Sequence, residues 1–273
     1  MKLCLMTCIL SRGDIPDNRT AKIQAVCELG QSLQIDGVDL DRTYGLPPQE
    51  VRRILADYGL KTVIYTLMGT ALNAATPAAR VAGVDSLKSA IDIALALGAD
   101  KVMVVTPGKS EFPRDVSRGH YIAAFQESAA LARQAGVTLT IENFGGPGSP
   151  FVISSDILEA IREVPGLALT FDNGNTYLGG EDPASSFRRC AAHVVHAHFK
   201  DWVYAGPGYG LEGLDGRRHQ SALIGEGLLD TKSCLTAMQE AGYAGYINIE
   251  YEGKRYMPDE ATRKAAGDRK SVV

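Results

Sequence analysis

Four short segments in the second half of the chain each end in a side chain that can bind a cation or move a proton. They are Thr140-Ile141-Glu142-Asn143, Thr170-Phe171-Asp172-Asn173, His196-Ala197-His198-Phe199 and Asn248-Ile249-Glu250-Tyr251. Successive side chains of a strand point to opposite faces. Thr138, Thr140 and Glu142 therefore share one face, and Leu139 and Ile141 the other. His196 and His198 share a face, as do Asn248 and Glu250, with Ile247 and Ile249 turned outward. Carboxylates crowded together repel, and their pKa values rise. A bound divalent cation removes that conflict. Three oxygen donors and one imidazole, from Glu142, Asp172, His198 and Glu250, suit Mn²⁺, with Mg²⁺ or Co²⁺ as alternatives, better than a thiolate-rich zinc site does. Any one of these residues alone reads more simply as a helix cap or a solvated charge. Their arrival in register on successive strands is what points to a site. His198 is nearer the strand end and is favoured as the ligand, with His196 one layer deeper.

Such a convergence needs a scaffold that delivers strand ends to one rim. Apolar, β-branched runs at Leu3–Ile9, Gly37–Leu40, Thr62–Thr66, Lys101–Val105, Thr138–Glu142, Ala168–Phe171, Val194–Phe199 and Tyr246–Glu250 read as strands. Segments of helical period lie between them, near Thr20–Gln34, Pro47–Tyr58, Ala78–Leu97, Asp115–Ala135, Ser154–Glu163, Pro183–Ala192 and Thr231–Ala241. Gly59, Gly98, Gly136 and Gly242 follow periodic segments as C-terminal caps do, and Ser154 and Asp230 stand where N-caps are expected. Eight strands alternating with helices predict an α/β fold, a (β/α)8 TIM barrel, as a single domain over residues 1–273. An open doubly wound sheet is the competitor. It usually places G-x-G-x-x-G after its first strand, whereas here that strand runs into Thr7-Cys8-Ile9-Leu10-Ser11.

Composition agrees with this scale of core. Of 273 residues, 45% are hydrophobic and 22% charged, which excludes disorder, collagen and a disulfide-stapled mini-domain. The net charge of −4 argues against a nucleic-acid footprint and against a membrane surface as partner. No apolar stretch reaches the roughly 20 residues that span a bilayer. The opening Met1–Leu10 reads as a buried strand rather than a secretory signal. Five cysteines, with no C-x-x-C pair, read as reduced and buried in a cytoplasmic protein.

At these residues the sequence resembles the xylose isomerase-like TIM-barrel superfamily, the sugar phosphate isomerase/epimerase group. The matching motifs are I-E-N at Ile141–Asn143, F-D-x-G-N at Phe171–Asn175, H-x-H-x-K-D at His196–Asp201, G-E-G at Gly225–Gly227 and G-Y-I-N-I-E-Y-E-G at Gly245–Gly253. The resemblance implies a divalent metal held by Glu142, Asp172, His198 and Glu250, with Glu142 and Glu250 also the proton-transfer pair. It implies that His196, Lys200, Asp201, Asn143 and Asn175 bind substrate or orient the ligands. It implies a small carbohydrate as substrate and, by analogy, a homo-oligomer. Asn175 stands where ketose 3-epimerases tend to carry a histidine, and H-F-K-D with G-E-G is closer to the broad isomerase/epimerase and inosose-dehydratase-like branch.

The expected chemistry is proton abstraction next to a carbonyl through a metal-stabilised enediolate. Return of the proton to the other face gives epimerisation, and return to the neighbouring carbon gives isomerisation. Loss of a β-hydroxyl makes the enzyme a lyase acting on a keto-polyol, which is the alternative. Lys200 reads equally as an electrophile and as a salt-bridge partner of Asp201 or another rim acid. Trp202, the single tryptophan, reads as a pocket wall or as a loop cover. Tyr204–Gln220 is the longest apparent loop and could close over the site. Arg217 and Arg218 within it read as anion-binding or as solvated. A repair nuclease of the same barrel class would need many histidines and a basic face, and this chain has five histidines and an acidic balance.

Overall fold

A computed structural model describes residues 1–11 and 19–267. In chain order the elements are β1 (Lys2–Met6), α1 (Thr7–Leu10), α2 (Arg19–Leu33), β2 (Gly37–Leu40), α3 (Pro48–Asp57), β3 (Lys61–Met68), α4 (Pro77–Leu97), β4 (Lys101–Val105), α5 (Arg114–Gln134), β5 (Thr138–Glu142) and α6 (Ser154–Glu163). There follow β6 (Ala168–Asp172), α7 (Asn173–Leu178), α8 (Pro183–Cys190), β7 (Val194–Phe199), β8 (Asp201–Tyr204), β9 (Leu211–Glu212), β10 (Arg218–Ala222), α9 (Thr231–Glu240), β11 (Tyr246–Ile249) and α10 (Pro258–Gly267). Strands β1, β2, β3, β4, β5, β6, β7 and β11 pair in parallel and close on themselves through β1–β11. This is the expected (β/α)8 barrel, wrapped by helices.

The alternation along each strand does the sorting. Ile141, Leu139 and Ile247 join Phe171, Phe187 and Phe199 in an apolar layer between barrel and helices. Ile249 joins Leu5, Val38, Leu40 and Leu55 in the corresponding layer on the other side. The opposite faces of the same strands are left to line the barrel. Helix punctuation follows known capping chemistry. The Thr76 side chain accepts from the Ala79 N–H at the start of α4, and Gly98 ends that helix in the left-handed region at φ 82°. Asp230 caps α9 by accepting from Ser233 N–H.

Three expectations change. The first strand ends at Met6, and Thr7–Leu10 turns as the short helix α1. Ser154 is the first helical residue rather than the cap of α6. Its hydroxyl donates to Glu181, while Asp156 accepts from the Ile153 N–H. The segment 204–220 is not a long loop. Strands β8, β10 and β9 form a small antiparallel sheet standing over the C-terminal end of the barrel's seventh strand. None of the five cysteines is joined in a disulfide. Four are buried, and Cys8 is half-buried. The last element is α10, and residues 268–273 lie outside the described residues. Among the described residues no helix is long and apolar enough to cross a membrane.

Candidate metal centre

Glu142 is the last residue of β5, Asp172 the last of β6, and His198 lies on β7 one residue before its end. Glu250 follows β11, where its N–H donates to Phe199 O at 2.9 Å. One ligand-capable atom from each of these four lies within 4.8 Å of the others, and all four residues are buried. His198 Nδ1 points into the group, 2.8 Å from Glu142 Oε1 and 3.6 Å from Glu250 Oε2. Asp172 serves two purposes. Its Oδ1 accepts from Asn175 N–H at 2.6 Å and caps α7, and its Oδ2 turns toward the cluster.

Lys200 supplies the counter-charge. Its buried Nζ lies 3.0 Å from Glu250 Oε1, 3.2 Å from Asp172 Oδ2 and 3.8 Å from Glu252. Asp201 is not its partner. Asn173, passed over in the sequence, accepts the Lys200 backbone N–H at 2.9 Å and fixes the lysine's entry. A side chain at Gly174 would collide with the Lys200 stem and the Trp202 ring, which is the physical reason for glycine in F-D-x-G-N.

The charges are in conflict. Burial pushes the Asp172 carboxyl up to about 8; Lys200 opposes this, and Glu142 and Glu250 add to it. Burial likewise raises Glu250. For Glu142, burial is outweighed by His198 and Lys200, and the carboxyl stays below its ordinary value. Burial would lower His198, yet Glu142, Asp39 and Glu250 hold it well above its usual range. Glu250 Oε2 is buried with no hydrogen-bond donor among the described residues. A divalent cation fits this set. Three carboxylates converge on one point, one lysine only partly neutralises them, and an orphaned oxygen and Nδ1 of an imidazole face the same space.

The remaining sequence candidates take different positions. Asn143 clamps β5 to β6: its Nδ2 donates to Asp172 O at 2.8 Å, and its Oδ1 accepts from Asp172 N–H at 2.8 Å. Asn175 reaches Asp172 through its backbone N–H. His196 is fully buried below the cluster, with Nε2 2.7 Å from Asp39 Oδ2. Asp201 accepts from the N–H groups of Trp202, Gly225, Gly227 and Leu229 at 2.8–3.1 Å, so its oxygens anchor the G-E-G turn. None of Asn143, Asn175, His196, Lys200 and Asp201 lines the cavity beside the cluster. Trp202 does not line it either; from its place on β8 it packs with Leu178 and Leu229. Arg217 binds Asp215 and Tyr204, and Arg218 binds the carbonyls of Tyr209 and Gly210.

Asp39 is the residue that sequence reading missed. Its buried carboxylate receives His196, the Asn248 amide and the Cys4 thiol, and it lies 3.4 Å from His198 Nε2. A signal was present: a lone charge inside the apolar strand Gly37-Val38-Asp39-Leu40. The cavity itself measures about 640 Å³ and opens at the C-terminal rim of the barrel. Glu142, His198 and Glu250 face it from one side, and Met6, Met68, Met103 and Val105 from the other.

Known proteins share this architecture. The protein-family model described as "Xylose isomerase-like TIM barrel" matches residues 26–268. An inosose dehydratase of Lacticaseibacillus casei is 32% identical over 126 residues, 44% of this chain; that match spans 42% of the dehydratase. Among solved structures, the IOLI protein with a bound zinc atom superposes with a TM-score of 0.81 at 15% identity, covering 100% of this chain and 98% of its own. The 3-keto-D-glucoside 4-epimerase of E. coli gives a TM-score of 0.77 at 15% identity, covering 99% of each chain. With the closed parallel barrel and the family match over most of its length, this chain belongs to the xylose isomerase-like TIM barrel family.

Proposed function

We propose that this chain is a divalent-metal-dependent isomerase or epimerase of a sugar or sugar derivative, acting by proton abstraction next to a carbonyl. The observation that carries this reading is the convergence of Glu142, Asp172, His198 and Glu250 within 4.8 Å at one end of a cavity large enough for a small substrate. These four would hold the ion, His198 through Nδ1. When bound, a divalent ion polarises a carbonyl and stabilises the negative charge that develops on its oxygen. Mn²⁺ is the first candidate for this donor set, with Mg²⁺ and Co²⁺ behind it, and zinc joins the panel because the IOLI structure contains it.

The protein's own groups divide the remaining work. Of the three cluster carboxylates, Glu142 and Glu250 line the cavity and Asp172 does not. Glu142 and Glu250 are therefore the pair that can reach a substrate C–H, one taking the proton and the other returning it. Lys200 and Asp172 stay behind them and set the local charge. Asn143 and Asn173 hold the strand ends in place.

A lyase reading is supported by the similarity to an inosose dehydratase. It uses the same first step, followed by loss of a β-hydroxyl. The test is a solvent-deuterium exchange screen of the metal-loaded protein across ketoses, keto-glycosides and keto-inositols, with bound metal measured by mass spectrometry. Exchange beside the carbonyl is expected, and Glu250→Gln should abolish it. Near-normal turnover of Glu250→Gln with metal bound would refute the reading. Appearance of an enone or diketone, rather than an epimer or isomer, would select the lyase.

A further inference from the structure

The cavity is divided by chemistry. Glu142, His198 and Glu250 form one wall. Across from them the inward positions of β1, β3 and β4 are Met6, Met68, Met103 and Val105, with Phe144 closing the side. Met68 is 64% exposed and Phe144 39%, so this wall holds apolar surface with nothing covering it among the described residues. The polar side chains on this side are Cys8, Tyr65 and Thr66, with Asp39, Asp41 and Arg42 from β2 and the turn after it; Asp39 is engaged by His196, Asn248 and Cys4, and Asp41 and Arg42 are ion-paired with each other.

A free sugar carries hydroxyls around its whole ring. With its carbonyl at Glu142 and Glu250, its far hydroxyls would lose water against methionine and valine side chains, which is unfavourable without replacement hydrogen bonds. An apolar ring in that place would instead remove apolar surface from water. Thioether side chains adapt to the face or edge of such a ring. The 640 Å³ volume also falls among sites of about 300–1,000 Å³ that enclose drug-sized ligands rather than a single small ring.

We infer that the substrate is a keto-sugar or keto-polyol bearing an apolar substituent of about ring size, seated against Met6, Met68, Met103, Val105 and Phe144. This rests on the proton-abstraction reading above, which places the keto ring at Glu142 and Glu250.

The test compares methyl and phenyl 3-keto-β-D-glucoside, which differ only in the substituent, on the metal-loaded protein. Deuterium exchange gives kcat/KM, and calorimetry gives Kd without requiring turnover. The phenyl compound should be favoured at least tenfold in both, equivalent to about 1.4 kcal/mol. Met68→Gln and Met103→Gln should bring the phenyl-to-methyl ratio toward one, while Met103→Leu, which keeps the apolar volume, preserves it. Equal values for the two probes, a ratio unmoved by both glutamine variants, or binding of neither probe would each overturn the inference. If both probes exchange equally, the proton-abstraction reading survives and the substituent does not. If neither exchanges but phenyl binds at least tenfold tighter in a Met103-dependent way, the substituent survives and the proposed reaction fails.

Discussion

His198 Nε2 lies 3.4 Å from Asp39 Oδ2, on the side of the ring opposite the 2.8 Å contact between Nδ1 and Glu142. Asp39 is itself held by His196, Asn248 and Cys4. Burial would raise its carboxyl, but His196 and His198 outweigh burial and keep it ionised, well below the usual carboxylate range. Were Nδ1 to give up its proton to a cation in the cluster, an ionised Asp39 would keep the remaining proton on Nε2 and so orient the ring as a ligand. Asp39→Asn should therefore weaken Mn²⁺ binding by about 10–100-fold. Competition against a fluorescent chelator measures this, and circular dichroism checks that the barrel persists. Unchanged affinity would reduce the Asp39 network to packing.

Lys200 is the cluster's internal cation. Removing one partner of a buried ion pair costs about 3–5 kcal/mol, because the other charge is left uncompensated. Lys200→Met should lose stability of that order in chelator-treated protein. Saturating Mn²⁺ should return part of the loss, since the ion would neutralise the same carboxylates. Urea unfolding with and without Mn²⁺ separates the two conditions. Equal losses in both would contradict this role.

Cation binding should stabilise the fold by mass action. At a hundredfold excess over Kd the gain is about 2.7 kcal/mol, which for a domain of this size corresponds to roughly 5 °C in Tm. Chelation should reverse the shift. The double variant Asp172→Asn, Glu250→Gln should show little or none of it in thermal scans with Mn²⁺. A full shift in that variant would place the cation elsewhere.

A half-buried carboxylate offers a test away from the cluster. Glu181 accepts from Ser154 N–H at 2.8 Å, Ser154 Oγ at 2.7 Å, Ser186 Oγ at 2.9 Å and Arg189 at 2.6 Å, joining α6 to α8. Burial raises its pKa, but these donors outweigh burial and lower it below the ordinary value. A depressed folded pKa means a contribution present above the unfolded value, near 4.3, and lost as pH falls through the folded one. Glu181→Gln should cost about 1–2 kcal/mol at pH 7. The gap to the parent should close as pH drops below about 4. Denaturant midpoints at pH 7 and pH 3.5 test the sign.

The strand alternation made the barrel and the four converging residues legible in the sequence. Thr140-Ile141-Glu142 and Asn248-Ile249-Glu250 each state which face is apolar, and a one-residue slip would bury the wrong set. Strands β2, β4, β5 and β7 carry the bounds read from their patterns: Gly37–Leu40, Lys101–Val105, Thr138–Glu142 and Val194–Phe199. Local pattern could not show partners distant in the chain. Asp39 and His196 are 157 residues apart, and the register slips at Val38/Asp39 and at Leu169/Thr170, which pairs with His196, are set by strand pairing rather than by either segment alone. The same holds for Lys200, whose neighbours in sequence suggested Asp201 and whose neighbours in space are Asp172 and Glu250. Periodicity reports which face of an element is buried; only closure of the barrel decides which buried groups meet, because that depends on stagger and on the turns between strands.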